Sequence, residues 1–255
     1  MSEIAIEQLS KSFGALKVLD NLNLKVKSGE FITFFGPNGC GKTTLLNILS
    51  GMESPTKGSI LINGKPPAHS KIGFVFQDYN QSLFPWRTVS GNVEFALEAQ
   101  NMDSNREAIA ENVLKKIHFE EINLLAFRDK YPYELSGGMK QLTAIARALA
   151  FDPEVFLLDE PFSALDYTTT LKMEDALLDI LGKTEKKETT LFVSHDLDEA
   201  IYLADRVVVL SKRPAGIAKI INVDLPRPRK MEMRLGKKFF ALRNSVLKAF
   251  ESGRK

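Results

Sequence analysis

Eight consecutive residues, Gly36 to Thr43, constrain the fold of this chain more than any other feature. They read Gly-Pro-Asn-Gly-Cys-Gly-Lys-Thr, and they stand between an apolar run at 31–35 and a stretch of helical periodicity that begins at Lys42. Glycines allow backbone N–H groups to converge on one anion, and the N-terminus of the following helix adds a positive dipole. A strand, a phosphate-binding loop and a helix in this order predict a βα unit of an α/β nucleotide-binding fold.

The residues of this loop carry specific expectations. Lys42 should reach the terminal phosphates of a nucleotide, and the Thr43 hydroxyl should ligate Mg²⁺. Cys40, the single cysteine, is interpreted as a small side chain that fills a tight loop, with a thiol activated by the helix N-terminus as the alternative. The residues expected to cradle the nucleotide are Gly36, Pro37, Asn38, Gly39, Cys40, Gly41, Lys42, Thr43 and Thr44.

Composition excludes several other classes of protein. The chain has 255 residues, of which 44% are hydrophobic and 26% charged, as in a globular protein and unlike a disordered or collagen-like chain. One cysteine cannot form an intramolecular disulfide, so a disulfide scaffold is excluded and a reducing compartment fits. No apolar run approaches the roughly 20 residues that span a bilayer, and the acidic N-terminus does not resemble a secretory signal. We therefore expect one large or two modest domains that do not enter a membrane by themselves.

The C-terminal end is basic although the whole chain is nearly neutral. Residues 211–255 hold 13 Lys and Arg against 3 Asp and Glu, whereas residues 1–210 hold 21 against 29. A basic end can face nucleic acid or an anionic membrane. We favour a solvated tail helix and expect no nucleic-acid partner, because the charges lack the aromatic interleaving that base stacking requires.

Periodicity along the chain predicts an α/β core that is interrupted by helices. Continuous apolar runs at 155–158, 191–193 and 207–210 are typical of central parallel strands that are covered on both faces. Helical spacing characterises 88–130 and is clearest in the helix over 139–151. The first thirty residues alternate as short strands. Near the C-terminus, an amphipathic helix is predicted from the spacing of Leu235, Phe239, Leu242, Val246 and Phe250.

One of the apolar strands ends in two adjacent carboxylates, Asp159 and Glu160. Neighbouring strand residues point to opposite sides, so the two acids need not share one role. We assign Asp159 to Mg²⁺, directly or through water, and Glu160 to polarising the attacking water. Together with the glycine loop, this pair predicts a nucleotide hydrolase or transferase, and a kinase of the P-loop class stays open at this stage.

A second glycine motif opens the helix over 139–151. Ser136 is a residue type that caps helix N-termini, and Gly137 and Gly138 let backbone N–H groups approach an anion. One nucleotide does not need two such cradles within a single subunit. The economical explanation is that this helix start closes on a nucleotide held by another copy of the chain.

With this motif, the sequence resembles the ATPases of ABC (ATP-binding cassette) transporters. Leu-Ser-Gly-Gly-Met-Lys-Gln at 135–141 is similar to their signature motif. The resemblance implies that Phe13 stacks on adenine and that Gln77 ligates Mg²⁺ and orients water. It also implies that Asp166 belongs to a loop at the nucleotide and that His195 contacts the γ-phosphate. The implied catalytic residues are Glu160, His195, Gln77 and Lys42, and the implied Mg²⁺ ligands are Thr43, Gln77 and Asp159.

The resemblance covers most of the chain and implies its architecture. We expect a single ABC ATPase domain over 1–225 with the α/β fold of P-loop NTPases, an N-terminal antiparallel β subdomain, and a core at about 1–81 and 151–225. A helical subdomain would be inserted at about 82–150, and a basic amphipathic helix would follow over 226–255. The implied cofactors are ATP and Mg²⁺, and the implied working unit is a head-to-tail homodimer.

Segments outside the ATP chemistry indicate a class of transporter. Residues 77–86, which end in Phe84-Pro85-Trp86, and residues 223–229 resemble the ATPases of nitrate, sulfonate and taurine-type importers. This resemblance implies import of a small anion or sulfonate-like solute, from a peripheral position on the cytoplasmic face of the cell membrane. The implied partners are permease subunits, with a short permease helix in a groove lined by Phe84 and Trp86, and indirectly a substrate-binding protein. The alternative is a permease-free soluble ABC ATPase, for example of the iron–sulfur assembly type, against which Phe84-Pro85-Trp86 argues.

Overall fold

A computed structural model describes most of the chain, namely residues 3–78, 82–102, 104–119, 122–183 and 187–253. Three residues of the importer-like segment, Tyr79, Asn80 and Gln81, lie outside the described residues. None of the helices found within these ranges is both long enough and apolar enough to cross a membrane.

The chain divides into two compact units. The first comprises Met1–Ser70 and Glu188–Lys255, and the second comprises Lys71–Lys187. The boundaries predicted near residues 82, 150 and 225 for the helical subdomain and for the end of the ATPase domain stay predictions.

The strands predicted at 31–35, 155–158, 191–193 and 207–210 are present, together with strands and helices that the apolar periodicity did not predict. Short 3₁₀ turns occur at Pro67–His69, Leu124–Phe127, Pro132–Glu134 and Met231–Leu235. In chain order, the described elements are β1 (Ile4–Phe13), β2 (Leu16–Val26), β3 (Phe31–Phe35), α1 (Lys42–Leu49), β4 (Lys57–Ile62), β5 (Ile72–Val75), α2 (Val89–Glu98), α3 (Arg106–Lys116), β6 (His118–Phe119), β7 (Ile122–Asn123), α4 (Gly137–Ala150), β8 (Val155–Asp159), α5 (Tyr167–Gly182), β9 (Thr189–Ser194), α6 (Leu197–Leu203), β10 (Arg206–Leu210), β11 (Ile217–Asn222) and α7 (Lys237–Gly253).

The N-terminal strands form the antiparallel sheet that the resemblance implies. Strand β1 lies between β2 and β4 and pairs with both in antiparallel register. Ile4 is paired with Val26 on one side and Ile62 on the other, and all three side chains are fully buried. The alternation of apolar residues therefore gives this sheet one buried face.

The first unit also holds a mostly parallel sheet whose strand ends carry functional segments. Its strand order is β11, β10, β3, β9, with β11 antiparallel at the edge. Every residue of β3 and β9 is buried, as expected of parallel strands covered on both faces. Phe35 is paired with Val209 on β10 and with Ser194 on β9. The segments that follow these three strands thus emerge at the same edge of the sheet, where α/β folds place their ligands.

In the second unit, the two strands β5 and β8 pair in parallel, and α2, α3 and α4 pack together. Helix α4 begins at Gly137 and confirms the strongest helical prediction. The helical spacing over 88–130 is only partly right, because helices α2 and α3 end before Ile117. Short strands and 3₁₀ turns follow over most of the remaining stretch.

The C-terminal helix α7 begins at Lys237, later than the predicted range of 226–255 and later than its apolar spacing suggests. Leu235 is 92% exposed in a 3₁₀ turn, and the extended backbone of Gly236 separates this turn from α7. The assignment of Leu235 to the amphipathic helix is therefore wrong. Phe239 and Val246 are buried as expected, and the ring of Phe250 lies 5.2 Å from the ring of Phe35.

Candidate active site

The glycine loop between β3 and α1 uses backbone conformations and close contacts that favour glycine. Gly39 and Gly41 have φ angles of +72° and +120°, which L side chains rarely adopt. A Cβ at Gly41 would lie 2.7 Å from Val18 Cγ1 and 2.9 Å from Leu19 Cδ2. The loop is therefore seated directly against strand β2.

Gly41→Ala should destabilise the protein and weaken ATP binding. The strained φ and the overlap with Val18 and Leu19 should together cost about 2–4 kcal/mol. Thermal unfolding with and without ATP measures both effects as a lower Tm and a smaller shift on adding ATP. Gly14→Ala is a matched control, because Gly14 also has a positive φ (+56°) but a Cβ there meets nothing within 4 Å. Equal losses of Tm and of the ATP-induced shift in both variants would contradict a special role for the close contact between Gly41 and β2.

Lys42 lies inside the loop that precedes it. Its side chain is buried, and Nζ donates hydrogen bonds to the carbonyl oxygens of Gly36 (3.1 Å) and Pro37 (3.3 Å). Thr43 is exposed and Thr44 is half-buried in the first turn of α1. A glycine loop that wraps a cation at a helix N-terminus fits the triphosphate of a nucleotide.

Cys40 packs as a small side chain within the loop. It is 2% exposed, and its Sγ lies 3.2 Å from the position that a Cβ on Gly36 would occupy. Burial raises the pKa of the Cys40 thiol, and the nearby charge of Lys42 only partly opposes this effect. The geometry therefore favours the space-filling interpretation over an activated thiol.

Phe13 is not a core residue. It ends β1 and is 47% exposed beside the hairpin turn, with Lys11 Nζ 4.7 Å from the ring centroid. An exposed aromatic ring in the same unit as the glycine loop has a face on which a base can stack.

His195 follows β9 at the sheet edge from which the glycine loop emerges. Because Phe35 and Ser194 are paired across β3 and β9, the next residues, Gly36 and His195, leave neighbouring parallel strands. The His195 side chain is exposed. The structure thus places the loop and the histidine at one edge within the first unit.

Buried polar contacts hold the turn that carries His195. Ser194 Oγ accepts a hydrogen bond from the backbone N–H of Asp196 (2.8 Å) and donates one to the Glu199 carboxylate. The Asp196 carboxylate caps α6 by accepting from the N–H groups of Asp198 (2.8 Å) and Glu199 (2.9 Å). Sequence reasoning did not assign this support, although Ser and Asp before a helix are a recognisable capping signal.

In the second unit, the ends of β5 and β8 bring Gln77 and Glu160 together. Gln77 Nε2 lies 3.5 Å from Glu160 Oε2 and 3.4 Å from Ser163 Oγ. Glu160 has a left-handed φ of +44°, which a residue with a long side chain keeps only where its surroundings enforce it. Asp159 is buried at the last position of β8. Backbone strain is common at functional sites, so the conformation of Glu160 and its contact with Gln77 fit the predicted site.

The signature segment forms the N-terminus of α4. Ser136 is its N-cap and accepts a hydrogen bond from the N–H of Met139 (3.3 Å). Ser136 is exposed and Gly137 is half-buried, whereas Gly138 is buried. A Cβ on Gly138 would lie 3.3 Å from Thr169 Cγ2 and 3.5 Å from Met173 Sδ. The absence of a side chain at Gly138 thus also allows α4 to pack closely against α5.

Asp166 has a structural role that the resemblance of the sequence to ABC transporter ATPases did not imply. It is the N-cap of α5 and accepts hydrogen bonds from the N–H (3.0 Å) and the hydroxyl (2.6 Å) of Thr169. These bonds lower the pKa of the Asp166 carboxyl. A contact of Asp166 with nucleotide stays a prediction.

The structure shows one further residue at the glycine loop, Arg213, which sequence reasoning missed. Its guanidinium contacts the Gly39 carbonyl. The sequence offers only a weak signal for this contact, because Arg213 is one of many basic residues in the segment that follows the predicted strand over 207–210.

The predicted metal ligands fit magnesium by residue type. Thr43, Gln77 and Asp159 offer hydroxyl, amide and carboxylate oxygens, which are the ligands that Mg²⁺ prefers. Among the described residues, no cluster of three or more His, Cys, Asp and Glu side chains has the arrangement of a metal site. The assignment of these three residues to Mg²⁺ remains a prediction.

Known proteins resemble this chain over nearly its whole length. Residues 19–163 match the family described as ABC transporter. An uncharacterized ABC transporter ATP-binding protein of Methanocaldococcus jannaschii is 48% identical over 235 residues, which cover 89% of this chain and 84% of that protein. An aliphatic sulfonates import ATP-binding protein of Bacillus cereus is 41% identical over 256 residues, which cover 98% of this chain and 96% of that protein.

The fold is that of solved ATP-binding cassettes. The dimeric structure of a post-hydrolysis state of the ATP-binding cassette MJ0796 bound to ADP and Pi is 32% identical, with a TM-score of 0.70, and the match covers 88% of this chain and 100% of that chain. This match and the antiparallel and parallel sheets confirm the predicted fold class. Taken together, these similarities show that the chain belongs to the ABC transporter family, in which it is an ATP-binding subunit that hydrolyses ATP.

Proposed function

We propose that this chain powers an importer for a small anion or a sulfonate-like solute. The observation that carries the proposal is its 41% identity, over nearly all of both chains, to the aliphatic sulfonates import ATP-binding protein of Bacillus cereus. The chain would work as a head-to-tail homodimer beneath permease subunits at the cytoplasmic face of the membrane. A substrate-binding protein would deliver the solute to the permease.

In the proposed reaction, the glycine loop and Lys42 bind the β- and γ-phosphates of ATP, and Phe13 stacks on adenine. Glu160 accepts a proton from the attacking water as the water oxygen bonds to the γ-phosphorus and the bond to the ADP oxygen breaks. His195 donates a hydrogen bond to the γ-phosphate. The 3.5 Å contact between Gln77 and Glu160 supports a role for Gln77 in orienting the water.

Mg²⁺ is the proposed cofactor, with Thr43, Gln77 and Asp159 as its protein ligands. When bound, the ion neutralises the charge that develops on the transferring phosphoryl group. The burial of Asp159 supports this assignment, because a carboxylate interacts more strongly with a cation where water is excluded.

The proposed dimer uses the signature segment of each copy to contact the ATP held by the other. The exposed N-cap Ser136 opens a helix of 14 residues, whose N-terminus favours an anion. Gly137 and Gly138 would add backbone contacts, and Asp166 would lie in the loop facing the same nucleotide. ATP would then close the dimer and hydrolysis would weaken it, because the γ-phosphate supplies the difference in affinity between closed and open states.

An aromatic surface of the second unit supports a permease contact. We call it the Phe84 patch, and it consists of Phe84, Trp86, Arg87, Phe95 and Arg147. The ring of Phe84 lies 5.4 Å from that of Trp86 and 4.5 Å from that of Phe95. Both arginine side chains lie against Phe84, and Trp86 remains 71% exposed. An exposed tryptophan on a supported aromatic base is a typical anchor for a partner helix.

The polar contacts of the Phe84 patch keep it rigid. Arg87 forms a bidentate ion pair with Glu98, with N–O distances of 2.9 and 3.0 Å. Arg147 donates to the Ser82 carbonyl at 2.6 Å. A patch that is already ordered loses little conformational entropy when a partner binds.

A tagged pull-down from detergent-solubilised native membranes tests the proposed function. Mass spectrometry should identify a polytopic permease and a substrate-binding protein among the recovered chains. Trp86→Ala should lose the permease, whereas Leu235→Ala should retain it, because Leu235 is 92% exposed but lies in the other unit. Recovery of soluble partners without any membrane protein would contradict the importer and favour a permease-free ATPase.

A further inference from the structure

The segment after β10, residues 211–216, emerges beside the glycine loop. Strand β10 pairs in parallel with β3, and Val209 is paired with Phe35, the last residue before the loop. A Cβ on Gly36 would lie 3.0 Å from Leu210 Cβ and 3.2 Å from the Leu210 carbonyl oxygen. The two segments are therefore neighbours at the edge of one sheet within the first unit. We call residues 211–216 the brace.

Arg213 in the brace contacts the glycine loop from outside. Its Nε and Nη2 donate to the Gly39 carbonyl oxygen at 3.0 and 2.5 Å. A Cβ on Gly39 would lie 3.1 Å from Arg213 Nη2, so the absence of a side chain at position 39 makes room for the guanidinium. Lys42 bonds the carbonyls of Gly36 and Pro37. The side chains of Lys42 and Arg213 thus donate hydrogen bonds to three carbonyl groups of the loop.

The base of the brace is anchored on two sides. Ala215 donates to the Val18 carbonyl (2.8 Å) and accepts from the N–H of Asp20 (2.9 Å), which ties the brace to β2. The N–H of Lys212 donates to the Gly253 carbonyl (3.0 Å) at the end of α7. Strand β2 is also the strand against which Gly41 is seated. The backbone on both sides of Arg213 is therefore held by hydrogen bonds to β2 and to the end of α7.

We infer that Arg213 is a positioning residue for the phosphate-binding loop, which it holds in its binding conformation by restraining the Gly39 carbonyl. The inference rests on the proposed binding of ATP phosphates by residues 36–44. Gly39 and Gly41 have left-handed φ angles and glycine is the most flexible residue, so the loop is costly to order. A restraint that orders it before ATP arrives raises affinity by reducing the entropy lost on binding.

Two measurements on Arg213→Ala, Arg213→Lys and Lys212→Ala test this inference. The first is the Kd for MgATP, and the second is the alkylation rate of Cys40, the chain's single cysteine, without nucleotide. Cys40 directly follows Gly39 and is 2% exposed, so its alkylation reports opening of the loop. Lys212→Ala is the matched control, because it removes the same charge from the adjacent exposed position.

We expect Arg213→Ala to weaken MgATP binding about three- to tenfold, because this factor corresponds to the net free energy of about one hydrogen bond. The same variant should raise the Cys40 alkylation rate severalfold. The Tm should stay near that of the unaltered chain, because the Arg213 side chain is exposed and not part of the core. Arg213→Lys should recover only part of the affinity, since lysine keeps the charge but not the planar fork. Lys212→Ala should change neither measurement.

Three results would overturn the inference. The first is an unchanged Kd and alkylation rate in Arg213→Ala, and the second is an equal change in Lys212→Ala. The third is full recovery of affinity and alkylation rate in Arg213→Lys, which would reduce the effect to charge alone. Failure of the unaltered chain to bind MgATP would instead contradict the proposed function, so the two failures are distinguishable.

Discussion

Replacing Glu160 with glutamine should reduce ATP hydrolysis by at least about 100-fold while leaving ATP binding intact. Glu160 follows β8 in a left-handed backbone conformation, and its carboxylate lies 3.5 Å from Gln77 Nε2. Glutamine preserves the size and shape of the side chain but does not accept a proton from water. The chemical step should therefore fail, while the phosphate-binding loop still holds ATP.

Phosphate release and equilibrium ATP binding by the purified chain measure the two parts of this prediction. Glu154→Gln is the matched control, because Glu154 directly precedes the same strand at its opposite end. That control should hydrolyse ATP at the rate of the unaltered chain. Near-normal turnover by Glu160→Gln would remove Glu160 from the water-activating role, and loss of ATP binding would assign it to shaping the site.

Lys42→Ala should weaken ATP binding by at least about 100-fold and abolish hydrolysis with it. The buried ammonium group, now bonded to two loop carbonyls, is the charge that we assign to the phosphates. A hydrogen bond to a charged group contributes about 1.5–3 kcal/mol, and two such bonds to phosphate oxygens correspond to a factor of about 100 or more.

ATP titration by calorimetry measures this loss, and thermal unfolding without ATP shows whether the variant is folded. Lys57→Ala replaces an exposed lysine of the same unit and should bind ATP normally. Lys42→Arg should not restore binding, because a planar guanidinium does not match the compact ammonium group within the loop. A folded Lys42→Ala variant with undiminished affinity would contradict the assignment of the loop as the phosphate site.

The central parallel strands follow from the sequence because burial on both faces leaves a continuous apolar run, whereas helix α5 was not predicted. The apolar runs at 31–35, 155–158 and 207–210 are strands in which nearly every residue is buried. The spacing in 139–151 likewise marks α4. The prediction failed where apolar residues occur without a continuous helix. Leu235 shares the spacing of α7, but Gly236 interrupts the backbone before the helix begins.

The sequence indicates which residue types belong to the site, but it does not show what supports them. Asp159 and Glu160, which the sequence places at the end of an apolar strand, lie at the end of β8. The positive φ of Glu160 and the packing of Gly138 against α5 depend on tertiary contacts that no local pattern encodes. The contact of Arg213 with Gly39 joins residues 174 positions apart, so only the pairing of β10 with β3 reveals it.

The central claim is that two copies of this chain close around ATP, and light scattering on Glu160→Gln tests it most directly. Addition of MgATP should convert this variant from the mass of one chain to that of two. A second variant, Glu160→Gln with Ser136→Asp, keeps an N-cap for α4 but sets a negative charge against the phosphates held by the other copy. It should bind ATP and remain a monomer. A monomeric Glu160→Gln at saturating MgATP, or equal dimerisation of both variants, would contradict the claim.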